Sequence, residues 1–220
     1  MKIRLAIASS RADVLRCQYL IAEVYNQEYN IFFSDDSYDL HGKIEPWPHR
    51  YLMATVDGEV AGCIGMYLRD TYVGRFGNVS DDEVRRAVVA AGGDAERWLP
   101  ERKREPTKLA VHSNYRGFSL GRILLGACHS SAFRDTDGDG QSFLFVACAK
   151  QSIWRSQWGN VGIQSRVLKP FPIYKVHEDY ASPSDPMESR VIIPDLHVPR
   201  AWLDLDVPAD YDTEQVRRLR

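Results

Sequence analysis

The sequence predicts one α/β domain with a mixed central sheet and helices on both faces. Three observations carry this. Apolar period-two segments alternate along the chain with segments of helical period, in the order β-α-β-β-α-β-α-β-α-β-β. An Asp57-Gly58 dipeptide joins two apolar runs, Arg50–Val56 and Val60–Leu68, as a hairpin turn does. Ser142–Ala149 is the most hydrophobic strand candidate and the one expected at the centre. At 220 residues the chain can bury one good core, and no linker asks for a second. Residues 1–198 are read as the domain, and 199–220 as a C-terminal extension packed on it.

Taken in order, Ile3, Leu5 and Ile7 alternate on a first strand, Lys2–Ala8. Ser10 caps a helix over Arg11–Asn26, in which Val14, Leu15, Ile21 and Val24 recur at helical spacing. Residues 31–48, polar, aromatic and proline-containing, read as a long ordered loop. After the hairpin, Ser80 caps a helix to Ala91, with Asp81, Asp82 and Glu83 meeting the positive end of its dipole. Trp98–Arg104 is a charged connection, Lys108–His112 a short strand, Leu120–Phe133 a helix and Asp135–Gly140 a turn. A helix over Ser152–Trp158 follows the central strand, then strands near Ile173–Val176 and Arg190–Ile193, and one or two short helices in the tail.

Composition narrows the partners. The formal net charge is −2, so no basic excess exists to hold nucleic acid or an anionic membrane. The N-terminus lacks the apolar core of a signal peptide and no run approaches a membrane span, which reads as cytoplasmic. Cys17, Cys63, Cys128 and Cys148 lie scattered in apolar segments without a C-x-x-C, as buried reduced thiols do. Asp135–Gly140 (DTDGDG) invites calcium, but the twelfth loop position is Val146 inside a strand, so no metal is expected.

The chemistry is concentrated in Glu105–Leu125, EPTKLAVHSNYRGFSLGRILL. A strand runs into a small-residue turn that opens an apolar helix. Such a turn collects backbone N–H groups lacking internal partners at the positive end of the dipole. A phosphate or pyrophosphate suits it, with Arg116 and Arg122 adding charge and Gly117, Phe118, Ser119, Leu120 and Gly121 supplying backbone. The strand before it, Leu109, Ala110 and Val111, can pair with the amides of a pantetheine arm.

This segment resembles the R/Q-x-x-G-x-G/A loop of the GNAT superfamily: Arg116, Gly121 and Leu124-Leu125 match. Ser119 stands where the first loop glycine is usual, which restricts φ beside the phosphate. Further pieces resemble the branch of acyl-homoserine-lactone synthases and N-acyl amino acid synthases. These are Glu105-x-x-Lys108-x-x-Val111, Asp36-x-x-Asp39 ahead of His49-Arg50-Tyr51-Leu52, Val60-Ala61-Gly62-Cys63, and Glu23-Val24-Tyr25. Two arginines of the autoinducer enzymes are Ile21 and Gly65 here, which argues against homoserine-lactone synthesis. The resemblance implies a GNAT-like mixed sheet and acyl transfer from acyl-CoA or an acyl carrier protein to a small-molecule amine or amino acid.

Amine acylation needs a neutral amine, a polarised thioester carbonyl and a departing thiolate. Glu105, at the head of the strand beside the thioester, is the first choice for general base. Asp36 and Asp39 are candidates for binding the acceptor's ammonium, or for ordering the loop. A backbone N–H from Leu109 to Val111 would hold the carbonyl oxygen. Where many GNAT enzymes place a proton-donating tyrosine this chain has Trp158, leaving His112, Tyr115 or unassisted departure of the thiolate. Tyr29, Phe32, Phe33, Tyr38 and Trp47 either line an acyl pocket or pack the first loop. A carrier-protein donor would need a basic surface, for which Arg102, Lys103, Arg104, Arg116 and Arg122 are available. An acetyl-CoA-dependent N-acetyltransferase and a non-catalytic acyl-thioester-binding domain are the alternative readings.

Overall fold

The computed structural model describes residues 1–29, 31, 37–40, 43–68, 73, 79–97, 102–130, 144–170 and 182–219. β1 (Lys2–Ile7) buries Ile3 and Leu5. Ser10 Oγ accepts the Asp13 N–H at 3.1 Å and starts α1 (Arg11–Tyr29), which runs three residues past the expected end. Residues 31–48 are not simply a loop: β2 (Ser37–Leu40) and β3 (Lys43–Pro46) pair as an antiparallel hairpin. Tyr38, Leu40 and Ile44 alternate with polar residues there, but over too short a span to outweigh the prolines.

β4 (Arg50–Val56) turns into β5 (Glu59–Leu68) through Asp57 and Gly58, whose φ of 51° and 85° are what a two-residue type I′ turn requires. α2 (Asp81–Ala90) begins with a full capping box between Ser80 and Glu83. That network, with Lys169, holds the Glu83 carboxyl down at about 2. β6 (Lys103–Val111) begins five residues earlier than the expected strand, so Glu105 is its third residue, not a residue at its head. The segment KREP reads as surface, yet Arg104 and Glu105 are both 2% exposed.

α3 (Leu120–Ala127) is shorter than the expected helix, and residues 131–143, with the Asp135–Gly140 turn, lie outside the described residues. β7 (Leu144–Lys150) leads into α4 (Gln151–Ile153), which continues as a π-helical stretch, Trp154–Trp158, and a 3-10 turn, Gly159–Val161. β8 (Arg166–Pro170) has no counterpart in the sequence reading; the strand expected at 173–176 lies outside the described residues. β9 (Met187–Ile192), α5 (Pro194–His197), α6 (Arg200–Leu203), β10 (Ala209–Asp212) and α7 (Thr213–Arg218) complete the chain.

Among the described residues the main sheet runs β10-β1-β4-β5-β6-β7-β9-β8, and only β6 and β7 are parallel neighbours. It is a mixed sheet flanked on both faces, as predicted. Tyr51, Cys63 and Ala110 pack with α1 on one face, and Val146 and Val191 pack with α2 farther along it. On the other face α3, Trp154, Trp158 and Trp202 close the largest core over Leu52, Ile64 and Phe145. Trp202 is fully buried and its indole N–H donates to Val161 O at 2.9 Å. Its ring lies so close to Gly126 that a Cβ there would sit 2.1 Å from Cε3. All four cysteines are free thiols, and Cys17, Cys63 and Cys128 are buried. No helix among the described residues is long and apolar enough to cross a membrane.

Candidate active site

β6 and β7 pair only at Lys103–Leu144 and Arg104–Phe145, and then part. Beyond that point no strand among the described residues pairs with the edge of β6 that faced β7, and a cleft of about 780 Å³ opens through the sheet. Alternation gives its two sides different residues. Leu109, Val111, Ala147 and Ala149 belong to the α3 face, while Glu105 and Cys148 lie on the face of α1 and α2. The wall near α3 is completed by Gly121, Arg122, Leu125 and Trp158, and the opposite wall by Tyr25, Glu28 and Tyr29 of α1.

A bulge shapes β6 within the cleft. Cys63 pairs with Ala110 and Gly65 with Thr107, so two steps along β5 answer three along β6. The extra length is taken up at Lys108, whose φ of 53° is left-handed without a glycine to ease it. Such strain costs about 1–3 kcal/mol and gathers at functional sites. The Lys108 ammonium lies 5.5 Å from the centre of the Tyr25 ring.

Glu105 lines this cleft, and its Oε2 accepts the Val73 N–H at 2.9 Å. Burial, and then the Glu105 carboxylate beside it, pushes the Cys148 thiol well above its ordinary range, so it stays protonated. Burial, with the Glu28 carboxylate next, likewise raises Tyr29. Among the described residues no group of His, Cys, Asp and Glu is placed to hold a metal.

The expected phosphate loop lies at one end of the cleft. Ser119, at the N-cap of α3, has φ 65° and ψ 18°, the left-handed geometry that glycine would take freely, and its side chain makes no capping hydrogen bond. Gly117, at φ 84°, also needs that region. Gly121 borders the cleft, and a Cβ there would find only ordinary contacts, 3.7 Å from Val111 Cγ2 and 3.9 Å from Leu109 Cδ2. Leu120 is buried in the core and Phe118 is partly exposed. Arg116 Nε donates to Val111 O at 3.4 Å, and its guanidinium pairs with Glu28. The Arg122 guanidinium lies 6.0 Å from the Trp202 ring centre.

The other expected residues divide between the cleft and the rest of the fold. Ala110 faces the α1 packing, away from the cleft-facing Leu109 and Val111. Asp36 lies outside the described residues, and for Asp39 only the backbone, paired with Ile44 in the β2–β3 hairpin, is described. His112 Nδ1 accepts the Asn114 N–H at 3.2 Å, capping a 3-10 turn, which is a structural use. Trp158 is 5% exposed and lines the cleft, its ring 4.7 Å from that of Trp154. Tyr29 lines the cleft while Trp47 packs under α1. Of the five basic residues, Arg102 is half-buried just ahead of β6, Arg104 is buried, Lys103 pairs with Asp81, Arg116 with Glu28, and Arg122 is packed beside Trp202. The sequence reading missed Glu28, Cys148 and Met187, which no local motif marks; Lys108 it saw only as part of a spacing.

A mixed sheet parted between two parallel strands, with a helix N-terminus beside the opening, defines an α/β domain with a through-sheet cleft. The profile of the Acetyltransferase (GNAT) family matches residues 19–151, more than half of the chain, and the chain belongs to that family. A CoA-dependent acyl-homoserine lactone synthase, BjaI, solved with SAM and isopentyl-CoA, superposes with a TM-score of 0.56 at 15% identity, over 91% of this chain and 86% of that one. FeeM, an N-acyl amino acid synthase from uncultured soil microbes, gives a TM-score of 0.51 at 10% identity, over 91% and 92%. At such identities the likeness is one of fold. No curated protein sequence matches the chain.

Proposed function

We propose that the protein is an N-acyltransferase that moves an acyl group from a pantetheine thioester to the amine of a small molecule or amino acid. The parting of β6 from β7 after two residue pairs carries this reading. Along the cleft edge of β6 no strand among the described residues supplies ladder bonds, and the amides of a pantetheine arm can pair with that edge as a further strand would. The donor's phosphate lies against the backbone from Phe118 to Arg122. Its thioester then reaches the bulge at Lys108, where a backbone N–H from Leu109 to Val111 would hold the carbonyl oxygen. The amine nitrogen attacks the carbonyl carbon, Glu105 takes its proton directly or through a water, and the carbon–sulfur bond breaks. Trp158 offers no acidic proton and His112 is used in capping a 3-10 turn, which leaves Tyr115 as the proton donor or unassisted departure of the thiolate. Asp36 and Asp39 remain candidates for acceptor binding.

The dispersal of Lys103, Arg104, Arg116 and Arg122 among internal partners favours coenzyme A over an acyl carrier protein as donor. Free-thiol release across acyl-CoA and acyl-carrier-protein donors, against a panel of amines, tests the reading. Turnover is expected with acyl-CoA donors longer than acetyl. Clear preference for acetyl-CoA selects the N-acetyltransferase alternative. Binding of donor without thiol release from any pair selects the non-catalytic one.

A further inference from the structure

The ion pair between Arg116 and Glu28 joins residues 88 apart in sequence, and the reaction above gives it no task. Arg116 follows the 3-10 turn after β6, and Glu28 lies in the last turn of α1. Both line the cleft, and Arg116 also borders the shallow depression at the start of α3 formed with Gly117, Ser119 and Gly121. One guanidinium thus stands between a carboxylate on the α1 wall and the backbone that would receive a phosphate.

We propose that Arg116 is shared in turn, held by Glu28 in the empty cleft and by the donor's phosphate once the donor binds, and that the released Glu28 carboxylate then receives a positively charged acceptor. This rests on the reading of the cleft as a donor and acceptor site. The pair's side chains are 49% and 32% exposed, and pairs so open to water hold weakly. A phosphate offers the same fork a stronger, charge-assisted partner. With the arginine gone, Glu28 faces the cleft with the neutral Tyr29 hydroxyl beside it and no cation among the described residues to balance its charge. The nearby cations, Lys108 and Lys150, lie against the faces of Tyr25 and Tyr29. An ammonium entering from solvent completes the charge balance and sheds one proton to solvent before the neutral amine attacks, so the donor precedes the acceptor and each strengthens the other's binding.

Calorimetry with coenzyme A on the full chain gives the first test. Glu28→Gln is expected to tighten binding about two- to fivefold, because the phosphate no longer competes for the arginine. Arg116→Ala should weaken it by roughly tenfold. Adding Glu28→Gln to Arg116→Ala should then change nothing, since Glu28 acts on the donor only through the arginine. Kinetics give the second test, with the amine that releases thiol fastest. Glu28→Gln should raise its KM by roughly tenfold with kcat little changed, and product inhibition should show donor-first order in the wild type. Wild-type binding of coenzyme A with unchanged affinity in Glu28→Gln overturns the exchange while leaving the donor site standing. An unchanged amine KM in that variant overturns the acceptor half. Failure of the wild type to bind coenzyme A overturns the donor-site reading and the exchange together.

Discussion

On the α3 wall of the cleft the groups are mostly backbone and apolar side chains fixed by the core: Leu109 and Val111 packed under α3, Leu125 on it and Gly121 at its start, with Arg122 held beside Trp202. On the α1 wall they are charged ends on longer stems, Glu28 and Lys108, with Arg116 at the mouth and Glu105 deeper in. A donor whose pantetheine arm is the same in every turnover suits a wall that is fixed before it arrives. Proton transfer and the binding of a charged acceptor need side chains that change partners. The fixed wall is therefore vulnerable through shape and the charged wall through single atoms.

Glu105→Gln tests the charged wall and has the largest expected effect. It keeps size and the contact with the Val73 N–H but removes the base, so kcat should fall by about 10² to 10⁴ while donor affinity moves by less than roughly tenfold. The Cys148 thiol gives a second readout of opposite direction. The Glu105 carboxylate helps to raise it, so a neutral glutamine should lower its pKa and speed alkylation of Cys148. A merely structural Glu105 would instead lower the melting temperature and leave turnover of the folded protein near normal.

Two glycines probe the fixed wall. Gly126→Ala drives a methyl into the ring of Trp202, which is fully buried and tied to Val161 O, so the ring has no room to yield. A loss of about 1–3 kcal/mol in urea unfolding is expected. Unchanged stability would mean that Trp202 does not brace α3. Gly121→Val is the converse case. The protein leaves space for its Cβ, so stability should hold while coenzyme A affinity falls by roughly tenfold, about 1.4 kcal/mol, as bulk meets the phosphate. Equal stability with equal affinity removes Gly121 from the donor site.

The fixed wall was the more legible one. The strand-to-helix run from Leu109 to Leu125 acts over a few residues, as the D-G turn and the serine caps at Ser10 and Ser80 do elsewhere in the fold, and local chemistry of that kind survives in sequence. The charged wall depends on encounters between distant segments. Nothing near Glu28 announces Arg116, and nothing in KREP announces a strand, because Arg104 and Glu105 are buried by tertiary packing against their own propensity. The bulge at Lys108 carries no glycine to mark it. β10 was missed for the same reason: Ala209–Asp212 is too short and polar to read alone and is a strand because β1 offers an edge.

Ser119→Gly is the smallest expected change and sets the loop's departure from the family pattern against its geometry. Ser119 holds φ 65°, where a side chain costs about 1–2 kcal/mol and glycine costs almost nothing. Glycine also enlarges the freedom of the unfolded chain, which offsets about 0.4–1 kcal/mol of that gain. The serine hydroxyl makes no cap hydrogen bond, so nothing is lost with it. The net should be a gain of about 0.5–1 kcal/mol, a rise in melting temperature of about 1–4 °C for a chain of this size. Ser119→Ala separates the two contributions: it removes the hydroxyl but keeps the strained φ, and should leave the melting temperature unchanged. Coenzyme A affinity should hold or improve in the glycine variant, since less bulk stands beside the phosphate. A melting temperature that falls in Ser119→Gly but holds in Ser119→Ala would mean that the loop relies on the serine's restricted backbone, with the strain repaid elsewhere in the fixed wall.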